Sequence, residues 1–197
     1  MTLITKQDVA WLTDEWEVGE VWCLVFAEGL GEHEALTRAG AAYSSIRPMT
    51  YAELMDGNLF SDTLLARRVG GWTVLLEVNG AEVADALEQV SANTRAIAVS
   101  CNDHASDLFA FAQNGELVTC FDPIDPTSRW GTDPDRLTDL MGSAGLFPDY
   151  GRAGDDSDDG EPRGVAEALV LTAEITGVTL TPDILDEPMV AGTRQRA

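Results

Sequence analysis

Basic residues are scarce in this sequence: Lys6 is its sole lysine, and 12 Lys and Arg stand against 34 Asp and Glu, a formal charge of −22. Binding to nucleic acid or to an anionic membrane needs a stripe of cations to neutralise phosphates. None is present, so neither is an expected partner, and the charge favours a basic protein partner instead. Long apolar runs are missing too, which excludes a membrane-spanning helix. The amino end, MTLITKQDVAWLTDEW, lacks the basic region, apolar core and cleavage site of a secretion signal, leaving the cytoplasm as the expected location. Three cysteines at wide spacing, Cys23, Cys101 and Cys120, make neither a zinc knuckle nor a dithiol centre. Missing as well are a His-Glu-x-x-His helix, a GxSxG elbow, a phosphate-binding GxxxxGK[ST] loop and a strand-borne GxGxxG, so no cofactor is implied. Oligomeric state is not set by any of these features.

What is present is ample apolar material: 197 residues at 45% hydrophobic can bury a sizeable core. The predicted fold is α+β, a predominantly antiparallel sheet flanked by helices. Residues 1–148 form the expected core domain, 149–164 an acidic flexible loop or linker, and 165–188 a helical arm docked on the core. Thr5 and Asp8 open a first helix whose stripe is Val9, Leu12 and Trp16. VWCLVFAEG reads as a buried strand, EHEALTRAG as a short helix, and Thr50 with Glu53 as a capping box.

Two hairpins dominate the middle. Gly70-Gly71 turns SDTLLARRV into WTVLLEV, with Trp72, Val74 and Leu76 on one face and Thr73, Leu75 and Glu77 on the other; leucine on the second face suggests cover on both sides. A helix with Val83, Leu87 and Val90 on one side then leads to the strand TRAIAVS. The second hairpin, LFAFAQNGELVTCF, turns at Asn114-Gly115 and is the strongest local topology signal. Beyond it the pattern changes from strand to loop and, after Asp133-Pro134, to a helix presenting Leu137, Leu140 and Met141 to the core. Residues 149–161 hold six acids and three glycines without a periodic apolar face. Val165, Leu169 and Ala173 resume helical spacing, and Thr181-Pro182-Asp183 starts a short final helix.

Chemistry concentrates around Asp122, Asp125, Arg129, Trp130, Asp133 and Asp135. Such carboxylates suit a hard metal ion, a cationic ligand or a general acid–base pair, though their spacing does not follow the calcium-loop pattern. The plainer account is turn and cap chemistry, with Arg129 tethering the loop through a carboxylate and Trp130 packed beneath it. His33, in GEHEAL, reads as a solvated surface residue. His104 is a candidate base toward Cys101 or Ser106 only if folding joins them. Cys23 and Cys120 read as buried packing, while Cys101, beside Asn102, Asp103 and His104, is the better candidate for a reactive thiol.

GWTVLLEVNG, NGELVTCFDP, RWGTDPDRL and the ITGVTLTPDIL tail together resemble a domain-of-unknown-function family widespread in actinobacteria. The resemblance spans most of the chain from first strand to final helix. It implies an intracellular bacterial accessory protein and carries over no catalytic residues. The preferred reading is a non-enzymatic interaction module with an acidic surface, its contact site at Trp130 and the neighbouring Asp and Arg groups. The alternatives are a carboxylate-dependent, metal-assisted hydrolase and a structural or regulatory accessory protein.

Overall fold

The computed structural model describes residues 4–13, 18–80, 82–102, 107–147 and 164–194. Its strands are β1 Trp22–Glu28, β2 Arg47–Met49, β3 Thr63–Val69, β4 Trp72–Val78, β5 Arg95–Cys101, β6 Leu108–Gln113, β7 Glu116–Asp122, β8 Asp125–Trp130 and β9 Met189–Thr193. The helices are α1 Lys6–Val9, α2 Glu32–Arg38, α3 Tyr51–Asp56, α4 Leu87–Val90, α5 Thr138–Ser143 and α6 Val165–Thr176. Among the described residues the nine strands join one sheet in the order β2-β9-β3-β4-β1-β5-β6-β7-β8, each neighbouring pair antiparallel. This is the α+β fold that the sequence predicts.

Side chains alternate across a strand, and here both faces are covered. Leu24 and Phe26 of β1 join one apolar cluster with α1, α3, α5 and α6, whereas Cys23, Val25 and Ala27 join a second with α2 and α4. β4 is buried at every position, including Glu77, so the expectation of cover on both sides holds. Trp22, Phe109 and Phe121 are almost wholly enclosed, and the two phenylalanine rings stack at 4.8 Å between centroids. Each such side chain contributes about 1.5–3 kcal/mol by leaving water.

Local chemistry accounts for the turns. Asn114 and Gly115 both take positive φ, at 55° and 84°, as a two-residue turn matched to strand twist requires. At the first hairpin only Gly70 does so, at 59°. Glu53 accepts from Thr50 N while Thr50 Oγ1 accepts from Glu53 N, completing the capping box of α3. Asp8 accepts from Thr5 N in the same manner at α1. Trp16 and the acidic stretch from Asp149 to Pro162 lie outside the described residues.

Four differences from the sequence reading have physical causes. The stretch after Asp122, expected as loop, is strand β8, because β7 supplies a ladder partner that turn-forming residues do not advertise. Helix α5 starts at Thr138 rather than at Pro134, and turns occupy the interval. Leu137, at the end of the turns, and Met141 of α5 reach the core, but Leu140 faces solvent. The segment AEVADALEQV holds a 3-10 turn at Glu82–Ala86 before α4, still burying Val83, Leu87 and Val90. β9, unanticipated, enters between β2 and β3. Its Gly192 lies so close to Ala41 that a Cβ would come within 2.8 Å of the alanine methyl.

Candidate interaction surface around Trp130

β7 and β8 join through the two-residue turn Pro123–Ile124, with Asp122 opposite Asp125. The Asp122 carboxylate accepts from Ile124 N at 2.9 Å, closing the turn. Asp125 accepts from the hydroxyls of Thr127 and Ser128, each at 2.6 Å. Those bonds, Ser128 foremost, hold its carboxyl below the usual range. Pairing then resumes at Cys120 opposite Trp130, so that four residues of β8 stand against one of β7. Such an insertion bends the edge strand and breaks its ladder.

Beyond Trp130 the chain is pinned again. Gly131 has φ 128°, and a Cβ there would lie 2.2 Å from Val118 O. The approach lets Thr132 N donate to Leu117 O and Asp133 N to Val118 O, while Thr119 Oγ1 donates to Asp133 O at 2.9 Å. Trp130 is therefore held by backbone pairing before and after it.

Directly opposed residues in an antiparallel ladder share a face. The registers run Trp130, Cys120, Ala110, Ala98, Val25 across five strands, placing the indole on the side covered by α2 and α4. Trp130 is 50% exposed, whereas Trp22 and Trp72 are buried and Trp11 is half-buried. The expected packing of Trp130 beneath the loop does not occur: it ends a sheet-wide row, with no helix beyond it among the described residues.

Arg129 does tether the loop. Nη1 donates to Pro126 O and Nη2 to Asp135 Oδ1, both at 2.6 Å, and the guanidinium stands 5.6 Å over the Phe147 ring. Its Nε is shielded from water and has no hydrogen-bond partner. Asp133 pairs with Arg136 at 3.6 Å. Each of Asp122, Asp125, Asp133 and Asp135 is thus committed to its own neighbour, and among the described residues no three His, Cys, Asp or Glu side chains are grouped to hold a metal ion. Three convergent oxygen ligands, the condition for the metal-assisted alternative, are not met there.

The other candidates divide similarly. Cys101 is buried, and burial together with the neighbouring Asp107 pushes its thiol up to about 12, the opposite of an activated nucleophile. Cys120 is also pushed up to about 12 by burial, and Cys23 is raised further. His104 and Ser106 lie outside the described residues. His33 meets the Tyr43 ring edge-on at 6.4 Å on an exposed corner.

Two buried carboxylates escaped sequence reasoning. Glu77, 3% exposed, accepts from Arg194 Nη2 at 2.5 Å and from Val83 N at 2.7 Å. Burial raises its carboxyl, and the Val83 amide and Arg194 offset part of that rise. Asp107, 6% exposed, is raised by burial, with the charge of Asp122 adding to it and the bond from Asn102 N opposing it. An interior gap of about 20 Å³ between Trp11, Leu24, Leu76 and Leu180 suits one or two waters by volume but has an apolar lining. No helix among the described residues is long and apolar enough to cross a membrane.

A family model described as "Family of unknown function (DUF6461)" matches residues 2–191. No curated protein and no solved structure matches the chain.

Proposed function

Since the chain belongs to the DUF6461 family, whose function is unknown, we propose from its geometry that it is a non-enzymatic interaction module that docks a protein partner through Trp130. One observation carries this reading. Among the described tryptophans only Trp130 is exposed, and it is fixed at a sheet edge by the β7–β8 pairing and the Gly131 contact. A half-exposed indole on a braced backbone supplies a large contact area at a small backbone-ordering cost, and tryptophan is a frequent binding hot spot. Asp122, Asp125, Asp133 and Asp135 surround it in sequence and orient a basic partner through long-range charge, while Arg129 stiffens the platform. The actinobacterial accessory role implied by the sequence resemblance, and a cytoplasmic setting, belong to this same proposal.

The test is quantitative affinity capture from the native cell with tagged full-length protein, folded Trp130→Ala, and a variant neutralised at Asp122, Asp125 and Arg129. A stoichiometric partner lost from the Trp130→Ala sample is the expected result. Retention of every partner by that variant removes the docking role. It leaves a structural or regulatory accessory function.

A further inference from the structure

Resting on the docking role just proposed, we infer that the occupant is a basic segment of another protein that lays an arginine side chain on the Trp130 indole and does not add a strand to the sheet.

The first half of the argument concerns the sheet edges. A strand can be added only where a row of free N–H and C=O groups lies straight. β8 contains Pro126, which has no N–H to offer, and four of its residues bulge against one of β7. Asp125 further gathers the Thr127 and Ser128 hydroxyls onto itself, tying the strand into a local knot. The opposite edge, β2, is only Arg47–Met49 and has Pro48 at its centre. Both edges of this nine-stranded sheet are therefore poor templates for pairing. Contact at the β8 end has to be made by side chains.

The second half concerns charge. Between Glu116 and Asp139 six carboxylates face two guanidiniums. Arg129 and Arg136 are already paired, with Asp135 and Asp133. Asp122 and Asp125 are held by a backbone N–H and by hydroxyls, and among the described residues no cation pairs with either. An indole face is the best aromatic acceptor for a cation, and arginine adds planar stacking. A second copy of the chain is the wrong occupant, because two bodies each carrying −22 repel at low salt.

The probe is the acetylated, amidated peptide Gly-Arg-Gly-Arg-Gly, titrated into full-length protein while the tryptophan indole N–H signals are followed by NMR. Trp130→Phe identifies the Trp130 signal. The comparison peptide has citrulline at both arginine positions, keeping shape and removing charge. The expected result is a saturable shift of the Trp130 signal with the arginine peptide, roughly two- to fivefold weaker binding to Trp130→Ala, and weak or no response to citrulline. Equal response to the two peptides, equal binding by Trp130→Ala, or a shift that tracks protein concentration without peptide overturns the inference, the last result pointing to self-association. If capture still finds a Trp130-dependent partner, only the arginine assignment falls. If capture finds none, the docking surface falls with it.

Discussion

Replacing Arg194 with methionine keeps an apolar stem in place and removes the cation from a nearly buried carboxylate. Arg194 and Glu77 are 13% and 4% exposed as side chains, and with Arg194 gone only the Val83 amide still answers Glu77. Breaking such a pair on one side costs about 3–5 kcal/mol, because a desolvated charge is stranded. Glu77 has an escape: it can take up a proton. From its ordinary value of 4.5, doing so at pH 7 costs about 3.4 kcal/mol, which caps the penalty from this charge. Because burial already raises Glu77 with Arg194 in place, the wild-type protein carries part of that penalty, and the variant is expected to lose about 1–3 kcal/mol at pH 7 and progressively less as the pH falls toward that value. The exposed Arg194–Glu82 contact adds little, since surface ion pairs are worth about 0–1 kcal/mol. Urea denaturation at several pH values reads the effect, and Glu77→Gln in the same background should return most of the loss. A cost under about 1 kcal/mol at pH 7, or one that does not change with pH, would refute the reasoning.

Trp22→Ala should cost about 3–5 kcal/mol in denaturation, and Trp130→Ala about half that, because half of its side chain is already in water; equal losses would mean that Trp130 is buried. Gly131→Ala combines positive φ with a collision against Val118 O, so a loss of at least about 2 kcal/mol is expected. A folded Gly131→Ala protein of wild-type stability would show that the backbone brace beside Trp130 is not tight. Burial lifts Asp107, so the native state keeps a proton that the unfolded chain has released, and this group subtracts stability as pH rises above the ordinary 3.8. Asp107→Asn should flatten the decline in unfolding free energy as pH rises above that ordinary value; an unchanged slope assigns the decline to other groups.

The legible parts of the fold were those decided within a few residues. Asn114-Gly115 and Gly70 announce their hairpins because the required backbone angles suit so few residues, and Thr50 with Glu53 announces a helix start by spacing alone. β8 was not legible: Asp125, Pro126 and Ser128 are turn formers, and only the distant pairing partner Cys120 makes a strand of them. β9 is five residues with a glycine, placed by its fit between β2 and β3. At the candidate surface the local bonds of Asp122 and Asp125 followed from turn chemistry, as did the Arg129 tether. The exposure of Trp130 did not, since tryptophan is usually enclosed and its place at the end of a row depends on strand order. Glu77 and Arg194 are 117 positions apart, beyond the reach of any periodicity.

The most direct test of the docking role is calorimetric titration of the captured partner into wild-type protein and into Trp130→Ala, with circular dichroism establishing that the variant is folded. An indole at the centre of the contact predicts a Kd at least about tenfold weaker for the variant, the equivalent of 1.4 kcal/mol or more. An unchanged Kd contradicts the account and moves the partner to another face of the sheet.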